Sequence, residues 1–261
     1  MKTELRKPGR AFIGTSGWNY RHWADGVFYP ADCKSPDWLK FYAGAFDAVE
    51  INNTFYHLPS PEVFANWHDS TPADFTFAVK ASRFITHMKK LADPEVHVAR
   101  FLTHVAELRG KLGVVLFQLP PFSKFNAGRL SGLLEVLAGQ TIVPGLRTAV
   151  EVRHSSWLCD ECFHILRFHH AALVFADLAS CPVMAPVTAD FIYVRRQGTV
   201  SVGYPASSLR EDARRIRAWR AEGKDVHVYF NNDSEGHAVH DARKLGKLLQ
   251  SSNRAAEFMP F

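Results

Sequence analysis

Six charged residues stand near the C-terminal ends of otherwise apolar runs: Glu50, Lys80, Glu151, Arg153, Asp177 and Arg195. The runs read AVEINNTF (48–55), FAVKAS (77–82), VVLFQLP (114–120), AVEVRHSSW (149–157), VFADL (174–178), IYVRRQG (192–198) and VYFNND (228–233). Strands covered on both faces are nearly continuous in apolar residues, so polar groups confined to their ends mark one rim of a parallel sheet. Three carboxylates and three cations on one rim must pair with each other or face a wet cavity, because an unpaired buried charge costs several kcal/mol.

That mixture admits more than one chemistry. Glu50 and Glu151 could serve as general acid and base if their environments held different protonation states. Lys80 and Arg153 nearby would favour both ionised forms, which makes the same pair equally readable as a salt-bridged plug in the barrel mouth. Asp177 is the third carboxylate and a further catalytic candidate. Lys80 could form a Schiff base if desolvated, although the adjacent acids oppose the necessary fall in its pKa. The reading that uses most of the residues is anion binding, with Lys80, Arg153 and Arg195 as cations and Arg supplying a planar fork for carboxylate or phosphate.

Asn52, Gln118, His154 and Asn231 add polar contacts at the same rim. The last two strand ends, with Arg195, Gly198, Asn231, Asn232, Gly236 and His237 before a helix start, form a candidate phosphate site. Trp18, Trp23, Phe55, Tyr56 and Trp157 could stack on a sugar ring or a base, or simply fill the core under loops; Trp18 and Tyr56 are the candidates for ligand contact. A metal centre could be assembled on paper from Glu50, Glu151 and Asp177 with His57, His87, His154 or His237, but three inward cations disfavour a divalent ion. No metal and no cofactor are therefore expected. His154-Ser155-Ser156 lacks the strand-turn-helix setting of a nucleophile elbow and reads as a loop.

Positioning these groups requires alternating strands and helices. A first strand over 11–18 brings the strand count to eight, and helices are expected near 36–45, 61–69, 94–109, 127–138, 161–170, 208–222 and 238–250. Ser60-Pro61-Glu62 and Asp93-Pro94-Glu95 carry helix-start chemistry, with proline at the first helical position. The expected fold class is thus α/β, a single-domain TIM-type (β/α)8 barrel over 1–261. The exception is ASCPVMAPVTA (179–189), whose two prolines and absent apolar period predict no regular helix between the sixth and seventh strands. A doubly wound open sheet competes, but no G-x-G-x-x-G or P-loop follows a strand. Strand parity turns Glu50, Asn52, Ala78, Lys80, Gln118, Glu151, Arg153, Asp177, Tyr193, Arg195, Tyr229 and Asn231 toward the axis, and Phe77, Val79, Val115, Phe117, Val150 and Val152 toward the helices. Gly14 and Gly17 are expected to allow close packing or a bend at the top of the first strand.

With 261 residues and 47% hydrophobic content, the chain can bury a core large enough for such a barrel. Its 31 Lys and Arg against 26 Asp and Glu give a net charge of +5, which mildly favours anionic partners but makes no nucleic-acid-coating stripe. MKTELRKPGR has no apolar signal core and no run approaches a membrane span, so a soluble cytoplasmic protein without a membrane partner is expected. Cys33, Cys159, Cys162 and Cys181 include one C-x-x-C without a second pair, which fits reduced structural thiols.

The stretches GTSGWNYRHWADGVFYP (14–30), FDAVEINNTFYHLPSPEVFANW (46–67), TPADFTFAVKASRFITHMKKL (71–91), FQLPPF (117–122), EVRHSSW (151–157), YVRRQG (193–198) and YFNNDSEGHAVHDA (229–242) resemble the YecE-like family, or domain of unknown function 72. The resemblance implies a TIM-type barrel, loosely similar in shape to sugar isomerases and AP-site endonucleases, and supplies no catalytic residue. The resulting expectation is an enzyme that acts by acid/base or electrostatic catalysis on a small anionic substrate, phosphorylated or sugar-like. The alternative is a non-catalytic binder of single-stranded or damaged nucleic acid. Neither reading bears on oligomeric state.

Overall fold

The computed structural model describes residues 7–184, 186–198 and 202–256, with side chains to residue 251. Its strands are β1 (Ala11–Thr15), β2 (Ala48–Ile51), β3 (Thr76–Lys80), β4 (Leu112–Gln118), β5 (Arg147–Glu151), the short β6 (Ala172–Leu173) and β7 (Phe175–Ala176), β8 (Phe191–Arg196) and β9 (Asp225–Phe230). All neighbouring strands are parallel, in the orders β2-β3-β4-β5-β6 and β1-β9-β8-β7. A Ser16–Glu50 bridge joins β1 to β2, and β6 and β7 occupy a single barrel position, so the sheet closes on itself. A TIM-type barrel results.

The outer ring comprises α1 (Trp38–Ala43), α2 (Pro61–Asp69), α3 (Pro94–Val105), α4 (Ala127–Gly139), α5 (Asp160–Phe168), α6 (Ala206–Ala221) and α7 (His237–Ala256). Pro61 and Pro94 open their helices, as the missing N–H of proline permits, although neither Ser60 nor Asp93 caps with its side chain. Asn126 does, accepting from the Arg129 N–H at 2.9 Å. Leu130, Leu133, Leu134 and Leu137 of α4 and Val98, Phe101, Leu102 and Val105 of α3 recur at helical spacing and are buried against the sheet.

No helix forms between Ala179 and Ala189 among the described residues. The sixth position switches partners at Val174: Ala172 and Leu173 ladder with β5, whereas Phe175 and Ala176 ladder with β8. The connection then returns as an antiparallel bridge, Val183 exchanging two backbone hydrogen bonds with Ala176 at 2.8 and 2.9 Å. Thr188 ties down its far end, donating from its hydroxyl to the Ala171 carbonyl (2.7 Å) and accepting from the Leu173 N–H (2.8 Å). Pro182 and Pro186 deny this segment a helix, and the bridge satisfies backbone groups that β5 leaves free.

Two apolar layers follow from strand parity. Val49, Ile51, Phe77, Val79, Val115, Phe117, Val150 and Val152 face the helices, while Phe12, Ala48, Ala78, Val114, Leu116, Ala149, Ala172, Val174, Ala176, Phe191, Tyr193 and Tyr229 fill the lumen. The filling is lopsided: β2, β3, β5 and β6 contribute alanines, and β1, β8 and β9 contribute rings that occupy the space opposite. Gly14 is required by closure, since a Cβ there would meet the Ala48 carbonyl oxygen at 1.9 Å. No helix among the described residues is long and apolar enough to cross a membrane, and all four cysteines are free.

Candidate functional site

Above the apolar lumen, parity delivers Glu50 from β2, Lys80 from β3, Gln118 from β4, Glu151 and Arg153 from the end of β5, and Tyr193 and Arg195 from β8. Arg195 is the hub. Its guanidinium binds Glu50 through Nη2 to Oε1 (2.7 Å) and Nε to Oε2 (3.0 Å), and binds Glu151 through Nη1 to Oε2 (2.6 Å). Arg153 donates Nε–H to the other Glu151 oxygen (2.7 Å) and Nη2–H to the Gln118 side-chain oxygen (3.0 Å). The Tyr193 hydroxyl donates to Glu50 Oε2 at 2.6 Å.

Every carboxylate oxygen of Glu50 and Glu151 is engaged, and both residues are completely buried. Burial pushes the Glu151 carboxyl upward, but the Arg195 and Arg153 guanidiniums together outweigh it and hold the group below its ordinary range. The Tyr193 hydroxyl is pushed well up by burial and then by the Glu50 charge, so it stays protonated and donating. The arrangement of these two glutamates is that of counter-ions in a salt-bridged plug, not of a proton donor and acceptor open to a substrate.

Lys80 differs. Among the described residues it has no ion pair and no side-chain hydrogen bond; its ammonium stands 4.1 Å over the face of Phe55. Burial, and then the Arg195 charge, lower its pKa to about 8, with Glu151 and Glu50 opposing. Two carboxylates thus face three cations, and the surplus positive charge sits on Lys80. Arg153, about a quarter of whose side chain is exposed, is the neighbouring cation nearest solvent.

Several expected contributors lie elsewhere. Asp177 does not face the axis: Ala172, Val174 and Ala176 line the lumen, so Asp177 falls on the opposite face. There it accepts from the Gln197 N–H (2.7 Å), pairs with Arg196 (3.3 Å) and receives the Tyr204 hydroxyl. A short, wholly apolar strand has no alternation to reveal its inner side, which is why the sequence reading inverted it. Asn232 also points away from the axis and donates to the buried Asp241 at 3.0 Å. Asp241 additionally receives the Tyr204 N–H (2.8 Å), so a protein carboxylate occupies the region expected to cradle phosphate. His154 spends its Nδ1 on the N–H and hydroxyl of Ser156, capping the turn 155–157. Asn231 does lie at the rim, donating to the Gln197 side chain at 2.8 Å.

Of the aromatics, Trp23 and Trp157 are buried ties between loops, donating to the carbonyls of Asp233 (2.8 Å) and Ser123 (2.7 Å). Phe55 is the platform under Lys80. Trp18 and the exposed Tyr56 instead line a groove of about 620 Å³ between the connections following β1 and β2. Tyr20 and Trp67 complete its aromatic wall, and Asn52, Asn53 and Asn66 supply amides. Gly17 makes room for it: φ is +105°, and a Cβ would lie 2.8 Å from the Tyr20 hydroxyl, which donates to the Ser16 carbonyl at 2.6 Å. Sequence reasoning did not single out Tyr20, Asn53, Asn66 or Trp67 as site residues; Tyr20 and Asn53 follow the first two strand ends, Asn66 and Trp67 lie in α2, and their signal was that all four fall within the stretches 14–30 and 46–67 that carry the family resemblance. Among the described residues no group of three His, Cys, Asp or Glu is placed to hold a metal ion.

The family model described as protein of unknown function DUF72 matches residues 12–260. The chain is 33% identical to the UPF0759 protein YecE of Escherichia coli (strain K12) over 145 residues, 55% of this chain and 48% of YecE, and so spans about half the length of that relative. Against the UPF0759 protein YunF of Bacillus subtilis (strain 168) it is 24% identical over 272 residues, covering 91% of this chain and 94% of YunF. The crystal structure of a DUF72 family protein from Thermotoga maritima MSB8 superposes with a TM-score of 0.81 at 30% identity, over 92% of this chain and 99% of that one.

Proposed function

Because the chain belongs to the DUF72 family, whose description carries no activity, we propose a function from the mouth alone: an enzyme that binds a small anionic substrate at Lys80 and Arg153 and stabilises its developing charge electrostatically. The C-terminal mouth of this barrel type is where active sites are built, which supports catalysis there. The carrying observation is a nine-tenths buried lysine whose ammonium has no ion pair among the described residues and feels Glu151 and Glu50 only at longer range, a state that a bound anion would relieve. Glu50 and Glu151 hold Arg195 rigid and leave proton transfer to other groups. Donors fixed before the substrate arrives need no reorganisation in the transition state.

Calorimetric titration with inorganic phosphate tests the reading. The wild type should bind, and Lys80→Met should lose at least about tenfold in affinity, the worth of one charge-assisted contact. Affinity should also fall as the pH rises through about 8, where Lys80 loses its proton. Absence of phosphate binding at low salt, or an unchanged affinity in Lys80→Met, would sink it.

One observation favours the second reading, a binder of single-stranded nucleic acid. Exposed Tyr56, Phe84, Met88 and Phe122 follow β2, β3 and β4, close in sequence to Arg83, Lys89, Lys90 and Lys124, and the Lys90 ammonium lies 5.5 Å from the Phe122 ring centre. Stacking platforms beside cations suit a single strand. Affinity for an oligonucleotide should then fall steeply with salt; a phosphate binder with no oligonucleotide affinity excludes this reading.

A further inference from the structure

We propose that the groove beside the mouth holds the uncharged, hydroxyl-bearing ring of a phosphorylated sugar whose anionic group sits at Lys80; this rests on the reading of the mouth given above. Its volume of about 620 Å³ lies within the range of small-molecule sites. Among the described residues, none that lines it carries a formal charge; amides, hydroxyls and aromatic faces make up its polar and stacking surface. It is therefore built for a neutral polar body.

The amides specify that body further. Asn52 donates its Nδ2–H to the Ser16 carbonyl at 3.1 Å, which fixes the orientation of the side chain, and its Oδ1, turned into the protein, has no donor among the described residues. The exposed amides of Asn53 and Asn66 do face the groove and present donors and acceptors together, which sugar hydroxyls can meet in both roles and a bare anion cannot. The Trp18 and Trp67 rings meet at 90° with centroids 5.1 Å apart. Such a corner offers one stacking face and one edge. It suits a ring with one apolar face and peripheral hydroxyls better than a flat base, which gains most from being enclosed on both faces.

A single turn couples groove and cation. Thr54 donates its hydroxyl to the Lys80 carbonyl at 2.6 Å, Phe55 lies beneath the Lys80 ammonium, and Tyr56, 4.9 Å from the Phe55 ring, faces the groove. A ligand with its ring in the groove and its anion at Lys80 would span residues 52–56.

Calorimetry with inorganic phosphate, ribose 5-phosphate and adenosine 5-monophosphate on the full chain tests this. Ribose 5-phosphate should bind at least about tenfold tighter than phosphate, the yield of one hydrogen bond and a stack. Tyr56→Ala and Asn66→Ala, both at exposed positions that leave the core intact, should drive that ratio toward one. A wild-type ratio near one, with phosphate binding still dependent on Lys80, overturns the groove and leaves the mouth reading standing. A gain seen only with adenosine 5-monophosphate overturns it in favour of a base. Ribose 5-phosphate affinity that falls in Tyr56→Ala but not in Lys80→Met overturns the mouth reading and, with it, the placing of the anion at Lys80, and no binding of any probe overturns both groove and mouth.

Discussion

At the scale of single residues, Lys80 is where stability and ligand binding oppose each other. Its folded pKa of about 8 lies below the ordinary lysine value of 10.5, so the fold disfavours the charged form that an anion requires. The sign of the linkage follows directly. Below pH 8 the proton is on in both folded and unfolded chains, and the cost of burying the charge is borne in full. Between pH 8 and 10.5 only the unfolded chain keeps it, so the folded state gains stability as pH rises. Lys80→Met should therefore stabilise the protein near neutral pH by up to roughly 3 kcal/mol, the equivalent of the shift. The advantage should shrink across that window and vanish above it. Denaturant melts of both proteins from pH 7 to 11 check this; a variant no more stable at neutral pH would show that solvent already relieves the ammonium.

At the scale of elements, the instructive piece is the connection that replaces a helix. Its prolines made the missing helix legible in the sequence, but nothing there signalled that Val183 would pair back on Ala176 or that Thr188 would clip the edge of β6. Those contacts depend on the strand switching partners at Val174, a property of barrel closure. Thr188→Val keeps the shape and removes both hydrogen bonds. It should cost about 1–3 kcal/mol, because the Leu173 N–H is left buried without an acceptor. Thermal denaturation measures it, and a neutral result would mean that the connection is not part of the cooperative fold. The alternation of strands and helices was readable because apolar periodicity and proline positions act over a few residues. The facing of Asp177 was not, since a strand of five apolar residues looks the same from both sides.

At the scale of the whole molecule, the Arg195 network is a cross-brace joining β2, β4, β5 and β8 over the lumen. Removing one partner from a buried pair is more damaging than removing both, because the survivor keeps its desolvation cost. Glu50→Gln should lower stability by roughly 3–5 kcal/mol, and Arg195→Met added to Glu50→Gln should recover part of the loss. Urea melts of the single and double variants decide it; a double variant as unstable as the sum of its parts would mean the brace acts through packing instead of charge. From the sequence by itself came the barrel, its eight strand positions, the helix it lacks, and a rim where Glu50, Lys80, Glu151, Arg153 and Arg195 converge, because all of these follow from period, parity and chain order. Only the tertiary structure decided which charges neutralise each other and which stays over. It took Arg195 reaching two carboxylates at once to turn Glu50 and Glu151 into counter-ions and leave Lys80 above Phe55 with no ion pair among the described residues. The pairing of charges across a barrel depends on distances between side chains here 44 and 145 residues apart, and no local pattern in a chain encodes those.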